Sequence, residues 1–295
     1  MKHTKLRAAV VTAVLSLAFG LVGTPAQAAP KPFWTPDAMR AAVPMDSLVK
    51  APTFTSKDVA KGQSAIIQSI PNGGGAWTGG GKVTQTAGRV FFLFNGQKAS
   101  CSGDAVTSTN GSVVVTAGHC VKYQGTWHTQ WVFVPGYNNG NAPYGQWAAK
   151  TTLTTPQWEA SEDINYDVGM AVVNPLNGQR LTDVVGAQGI AFNQPKNQSM
   201  YTFGYPAASP YDGTKLIYCS GSTFTDFLLT KDHGMSCNMT GGSSGGPWFL
   251  SFNEGTGTGV QASVNSFGYN FLPGYMFGPY FGTDAQNLYN RAQAA

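Results

Sequence analysis

Charge is scarce in this chain. Asp, Glu, Lys and Arg together make up only 11% of its 295 residues. A helical bundle draws on charged polar faces for its exposed surface, and there is little material for that here. Histidine is scarcer still, with four in all and none after His233. The four cysteines show neither C-x-x-C nor C-x-x-H spacing, which argues against a zinc site. No metal and no cofactor is therefore expected. Beyond residue 28 there is no apolar run long enough to cross a bilayer. The basic excess of +4 is misleading. Residues 1–82 carry nine Lys/Arg against three Asp/Glu, whereas 83–295 carry nine against eleven, a net charge of −2. Nothing basic is left there to attract a nucleic acid.

What is present is glycine, 37 of them, together with abundant Ser, Thr and Asn. Short apolar runs alternate with turn residues from Gly88 onward, and Asn95-Gly96 is a hairpin signal. The pattern predicts an all-β fold with no βαβ alternation. After Thr283 the spacing becomes helical, with Thr283 or Asp284 as N-cap.

The first 28 residues read as a signal peptide. Lys2, Lys5 and Arg7 precede an apolar stretch that ends at Ala26-Gln27-Ala28. Secretion, and no membrane association once the signal is removed, follow from that reading. Residues 29–82 carry Pro30, Pro32, Pro36, Pro44 and Pro52, and glycine triplets at 73–75 and 79–81. They read as a removable pro-segment with a flexible end before Lys82-Val83. Four cysteines in an exported chain imply two disulfides, with three pairings possible.

Three stretches carry chemistry. Gly241-Gly242-Ser243-Ser244-Gly245-Gly246-Pro247 sets hydroxyls among residues that let backbone N–H groups converge on one point. Val113–Thr116 is an apolar run that leads through Ala117-Gly118 to His119-Cys120. Tyr166-Asp167 opens another apolar run, Val168–Val173. Serine is a weak nucleophile that needs a base, and the base needs an orienting acid. The order His119, Asp167, Ser244 offers all three. Gly242–Gly246 also fits G-x-S-x-G, but the esterases that use that elbow place their histidine after the serine. None follows here.

TAGHC at 116–120, YDVGMAVV at 166–173 and GGSSGGP at 241–247 resemble the motifs of chymotrypsin-like (trypsin-fold) serine peptidases. VPGYNNG at 134–140 and FGYP at 203–206 resemble segments of the bacterial secreted branch near the glutamyl-endopeptidase-like enzymes. The resemblance runs from about Val83 to the C-terminus. It implies two six-stranded antiparallel β-barrels, about 83–185 and 186–282, with the active site between them. A short C-terminal helix, 283–295, would dock on the second barrel.

The resemblance also assigns roles. Ser244, followed by two glycines and a proline, is the nucleophile rather than Ser243. Asp167, directly before its strand, is the acid rather than Asp163. The N–H groups of Gly242 and Ser244 form the oxyanion hole. Asn238, six residues before the serine, lies at the base of the substrate pocket, with Thr240, Gly241, Asn265 and Ser266 along its walls. Asn238 brings no carboxylate, and no histidine follows His233, so an uncharged side chain is the expected preference. The local cysteine pairing is expected. Its first bond, Cys101–Cys120, is the one the resemblance implies beside the histidine, and Cys219–Cys237 departs from the family's usual pattern. Many relatives carry aspartate where Ser243 stands, to receive a newly cut N-terminal amine, and serine cannot do so. A secreted serine endopeptidase acting on proteins or peptides as a monomer is the reading that follows. A secreted binding protein that has lost catalysis is its alternative.

Overall fold

The computed structural model describes Met1, residues 33–49 and residues 72–295. The chain divides into two compact units, Met1–Pro32 and Phe33–Ala295. The signal-peptide reading lies outside the described residues, and so does the part of the pro-segment at 50–71.

The first barrel is closed. Its strands run in the order Gln97–Ala105, Ala87–Phe94, Thr129–Pro135, Trp147–Thr154, Gly169–Val173 and Val113–Thr116, and the last pairs back onto the first. Asn95 and Gly96 turn the first hairpin with φ of 49° and 81°, the two left-handed residues of a type I′ turn. Period-2 alternation then decides what faces inward. Val90 and Phe92 enter the core with Val113, Val115, Phe133 and Met170. Phe91 points outward and packs under residues 34–42.

The second half is built from two sheets. Pro247–Asn253 lies between Ser199–Gly204 and Thr258–Val264, and Ile217–Ser222 pairs with the far side of Ser199–Gly204. A three-stranded sheet of Phe224–Thr225, His233–Ser236 and Tyr275–Gly278 packs beside them. Trp248, Met235, Met200 and the Cys219–Cys237 disulfide fill the core between.

Asn72–Ala76 adds an edge strand to this second half, with Tyr218 opposite Gly75 and Ile217 opposite Ala76. Trp77 follows it and packs edge-on to Phe203, Tyr218 and Phe252. The Lys82 and Val83 N–H groups then bond to the carbonyls of Thr256 and Gly257. The glycines read as a flexible spacer are thus partly a strand. Gly74, at φ +135°, passes so close to Asn238 that a Cβ would stand 1.7 Å from its Oδ1.

The C-terminal helix, Thr283–Ala294, starts one residue earlier than the capping pattern suggested, with Gly282 as N-cap. It docks on the first barrel rather than the second. Ala285, Leu288 and Ala292 form one buried stripe that joins the first barrel's core, and Arg291 donates to the carbonyl of Thr154. The stripe's i, i+3, i+7 spacing makes the single apolar face that a docked helix needs.

Candidate active site

The ends of two paired strands bring the first two residues together. Gly169 lies opposite Thr116, so the turns that leave these strands meet. His119 sits in a 3-10 turn, Gly118–Cys120, directly after one, and Asp167 caps the turn Ile164–Tyr166 before the other. Asp167 is fully buried and accepts twice from His119, from Nδ1 to Oδ2 and from the backbone N–H to Oδ1, each at 2.8 Å. Gly118 makes this approach possible, because a Cβ there would lie 2.9 Å from Asp167 Oδ1 and 2.8 Å from the Trp158 ring. The Ser266 hydroxyl also donates to Asp167 Oδ2. Asp163 instead accepts from the N–H of Asn165 and caps a turn.

Burial pulls the His119 imidazole toward its neutral form. The charge and hydrogen bond of Asp167, joined by the charges of Asp46 and Glu162, outweigh it and raise the pKa to about 8. His119 Nε2 is buried and has no hydrogen-bond partner among the described residues.

The serine turn comes from the other half. Gly242 and Gly245 take φ of 95° and 82°, where a side chain would be strained. A Cβ on Gly245 would meet Thr116 Oγ1 at 2.1 Å, which shows how closely the turn approaches the first barrel. Ser243 turns its hydroxyl back to the carbonyl of Thr240, leaving Ser244 as the serine that faces the cleft. Ser102, which no motif singles out, ties the halves together. Its N–H donates to the carbonyl of Ser244, and its hydroxyl donates to that of Gly242.

The residues expected to line the substrate pocket divide. Asn238 is exposed, its N–H bonded to the carbonyl of Gly73 and its Oδ1 accepting from the Tyr211 hydroxyl. Thr240 and Gly241 are half-buried beside it. Asn265 and Ser266 are buried. Asn265 is fully buried with its amide committed to four partners, and Ser266 is turned to Asp167. His128 and His233 are both buried, and burial pushes each down to about 4. The neutral His128 ring donates from Nε2 to the carbonyl of His119 and stacks on Phe92. Cys101, His119 and Cys120 bring two sulfurs and a ring nitrogen together, but the sulfurs are joined in a disulfide and offer no thiolate. Cys219 and Cys237 form the second bond, so the local pairing holds.

One contact was not legible in the sequence. Asp46 reaches in from residues 33–49. Its Oδ1 accepts from the Ser244 hydroxyl at 2.8 Å and its Oδ2 from the Gly242 N–H at 2.9 Å.

Similar folds have been solved. The protease Anisep from Arthrobacter nicotinovorans is 46% identical, over 72% of this chain and 96% of its own, with a TM-score of 0.67. The chain belongs to the trypsin-like serine proteases. AL20, a thermostable serine protease from an extremophilic microorganism, is 42% identical over 72% of this protease and 99% of its own chain, at a TM-score of 0.69. A Glu endopeptidase shares the fold at 17% identity and a TM-score of 0.60, covering 76% of this chain and 98% of its own. Among curated proteins, an "Extracellular metalloprotease" of Bacillus subtilis is 27% identical over 170 residues, 56% of this chain. The chain spans only 50% of that relative's length. No family model matches the sequence.

Proposed function

We propose that the chain is a secreted serine endopeptidase that cuts peptide bonds through an acyl-enzyme on Ser244. The buried His119–Asp167 pair is the observation that carries this reading. Its outer nitrogen has no partner among the described residues, and the serine turn beside it is built on left-handed glycines. Asp167 holds the Nδ1–H and thereby leaves Nε2 as the basic nitrogen. His119 then takes the Ser244 proton as the hydroxyl attacks the substrate carbonyl. It returns that proton to the leaving amine, and water repeats the sequence on the ester. The N–H groups of Gly242 and Ser244 meet the oxyanion. Asn238, Thr240 and Gly241 bring no charge to the substrate pocket, so an uncharged side chain before the cut fits best. Export by residues 1–28, removal of a pro-segment and action as a monomer complete the proposal.

The test is labelling with a fluorophosphonate, followed by peptide mapping. The label is expected on Ser244. Ser244→Ala and His119→Ala should abolish it, and both should lower turnover by on the order of 10⁶, while Ser243→Ala keeps most of both. A protein that digests no peptide and takes no label would be the binding protein instead.

A further inference from the structure

Asp46 occupies the place where a substrate's oxyanion would form. One carboxylate oxygen takes the Gly242 N–H and the other takes the Ser244 proton. That proton is the one His119 must receive, and His119 Nε2 is left without a partner among the described residues. A side-chain carboxylate is also a dead end for the nucleophile. It has no amine to expel, so forming an ester on it would have to expel water.

The segment that carries Asp46 is held along its length. Trp34, 2% exposed, packs on Phe91, and its indole N–H donates to the carbonyl of Gln130 at 2.7 Å. Thr35 caps the short helix Pro36–Arg40, from which Ala38 and Met39 join an apolar cluster with Val132, Val134, Tyr137 and Tyr205. Val43 and Pro44 then pair in parallel with Ala99 and Ser100, beside Cys101. Met45 is fully buried in the core of the first barrel. Anchors on both sides of the turn therefore fix Asp46, and Gly241 leaves room for it, its Cβ position lying 3.0 Å from that of Asp46.

We infer that the trough of Phe91, Val132, Val134, Tyr137 and Tyr205, continued to Gly242 and Ser244, is a binding site for the chain's own residues 33–49. Bound there, the segment is a tethered inhibitor with Asp46 as its active-site group. The inference rests on the proposed function above. It differs from activation through an aspartate beside the nucleophile. The inhibitory carboxylate comes from the pro-segment, and activation consists of its departure.

The test uses the full-length chain, with the uncut form resolved by mass. The uncut Asp46→Ala chain should take a fluorophosphonate at Ser244 at least tenfold faster than uncut wild type. Asp46→Asn, which keeps the volume, should be faster than wild type as well. A second measurement needs no catalysis. In the Ser244→Ala chain, hydrogen exchange at the Gly242 amide should be slow, and adding Asp46→Ala should speed it at least tenfold. Labelling of all three uncut chains at one and the same measurable rate, or Gly242 exchange that ignores residue 46, overturns the inference. If no chain is labelled while Gly242 protection still depends on Asp46, the tether stands and the catalytic reading falls.

Discussion

Asn265 holds Ser243 from behind. Its Nδ2 donates to the carbonyl of Ser243 at 3.1 Å and to that of Phe203 at 3.0 Å. Its Oδ1 accepts from the Thr202 hydroxyl at 2.8 Å and the Trp248 indole at 2.7 Å. Its backbone closes the turn from both sides, accepting from the Gly245 N–H and donating to the carbonyl of Gly246. The conformation of the serine turn is thus set by a fully buried residue outside it.

Asn265→Ala should therefore act on stability and reactivity together. It leaves buried polar groups on Ser243, Phe203, Thr202 and Trp248 without their partner, and each such loss costs about 1–3 kcal/mol. A fall in the thermal midpoint of many degrees is expected, with slower labelling of Ser244 at temperatures where the variant remains folded. Unchanged labelling in a folded variant would mean that the glycines hold the turn unaided.

The second prediction concerns pH. His119 must be neutral at Nε2 to accept a proton, so reactivity of the uncut chain should rise as pH climbs through about 8. The groups that bear on it are Asp167, Asp46 and Glu162, with His128 behind its carbonyl. Removing the Asp46 charge takes away one influence that favours the imidazolium. The acid limb of labelling should then move to lower pH in Asp46→Asn. The stability link has the opposite sign. A histidine raised to about 8 stabilises fully below its unfolded value, and the contribution fades as pH rises through 8. Rate–pH profiles of the two uncut chains check the shift, and coincident limbs would refute it.

Much of this was legible because local chemistry and sequence order coincide. TAGHC and YDVG mark the ends of adjacent strands, and GGSSGGP needs its glycines for close approach, so the family resemblance could assign roles to the three positions without coordinates. The Cys101–Cys120 and Cys219–Cys237 bonds join neighbours in sequence, which made the local choice natural. Long-range contacts were not legible. Asp46 lies 198 residues from Ser244, and no periodicity announces a lone carboxylate that folds back so far. The resemblance puts Asn265 and Ser266 on the pocket wall. Which way each side chain turns depends on Thr202, Trp248 and Asp167, far off in sequence. Gly73–Gly75 misled for a different reason. Glycine marks flexibility and close approach alike, and here the neighbouring Asn238 decides.

A third prediction follows from that edge strand. Cutting after Lys82 would remove a strand paired to Ile217 and Tyr218 and the Trp77 ring that packs on Phe203, Tyr218 and Phe252. A chain beginning at Val83 should be less stable than one beginning at Asn72 by roughly 3 kcal/mol, the scale of losing a large packed aromatic. Chemical denaturation of the two forms measures it. Equal stability would restore a boundary at residue 82.

The last prediction concerns a buried acid away from the cleft. Asp104 lies in the strand Gln97–Ala105, opposite Ala87 and Val115, and is fully buried. Burial raises its carboxyl well above the usual carboxylate range, and both of its oxygens are buried without a hydrogen-bond partner among the described residues. The folded state therefore keeps a proton that the unfolded chain gives up above about pH 4. By linkage, stability falls as pH rises from the unfolded value toward the folded one, by about 1.4 kcal/mol for each unit crossed. Asn resembles the protonated acid in size and remains neutral at every pH. Asp104→Asn should then match wild type near pH 4 and exceed it progressively above, with a flatter stability profile. Asp104→Leu tests the same ionisation in another way. It removes the charge together with two buried oxygens that have no hydrogen-bond partner among the described residues, so its stability profile should be equally flat. Denaturant midpoints across pH 4–9 decide the matter. A constant difference between Asp104→Asn and wild type over that range would show that Asp104 does not hold its proton in the fold.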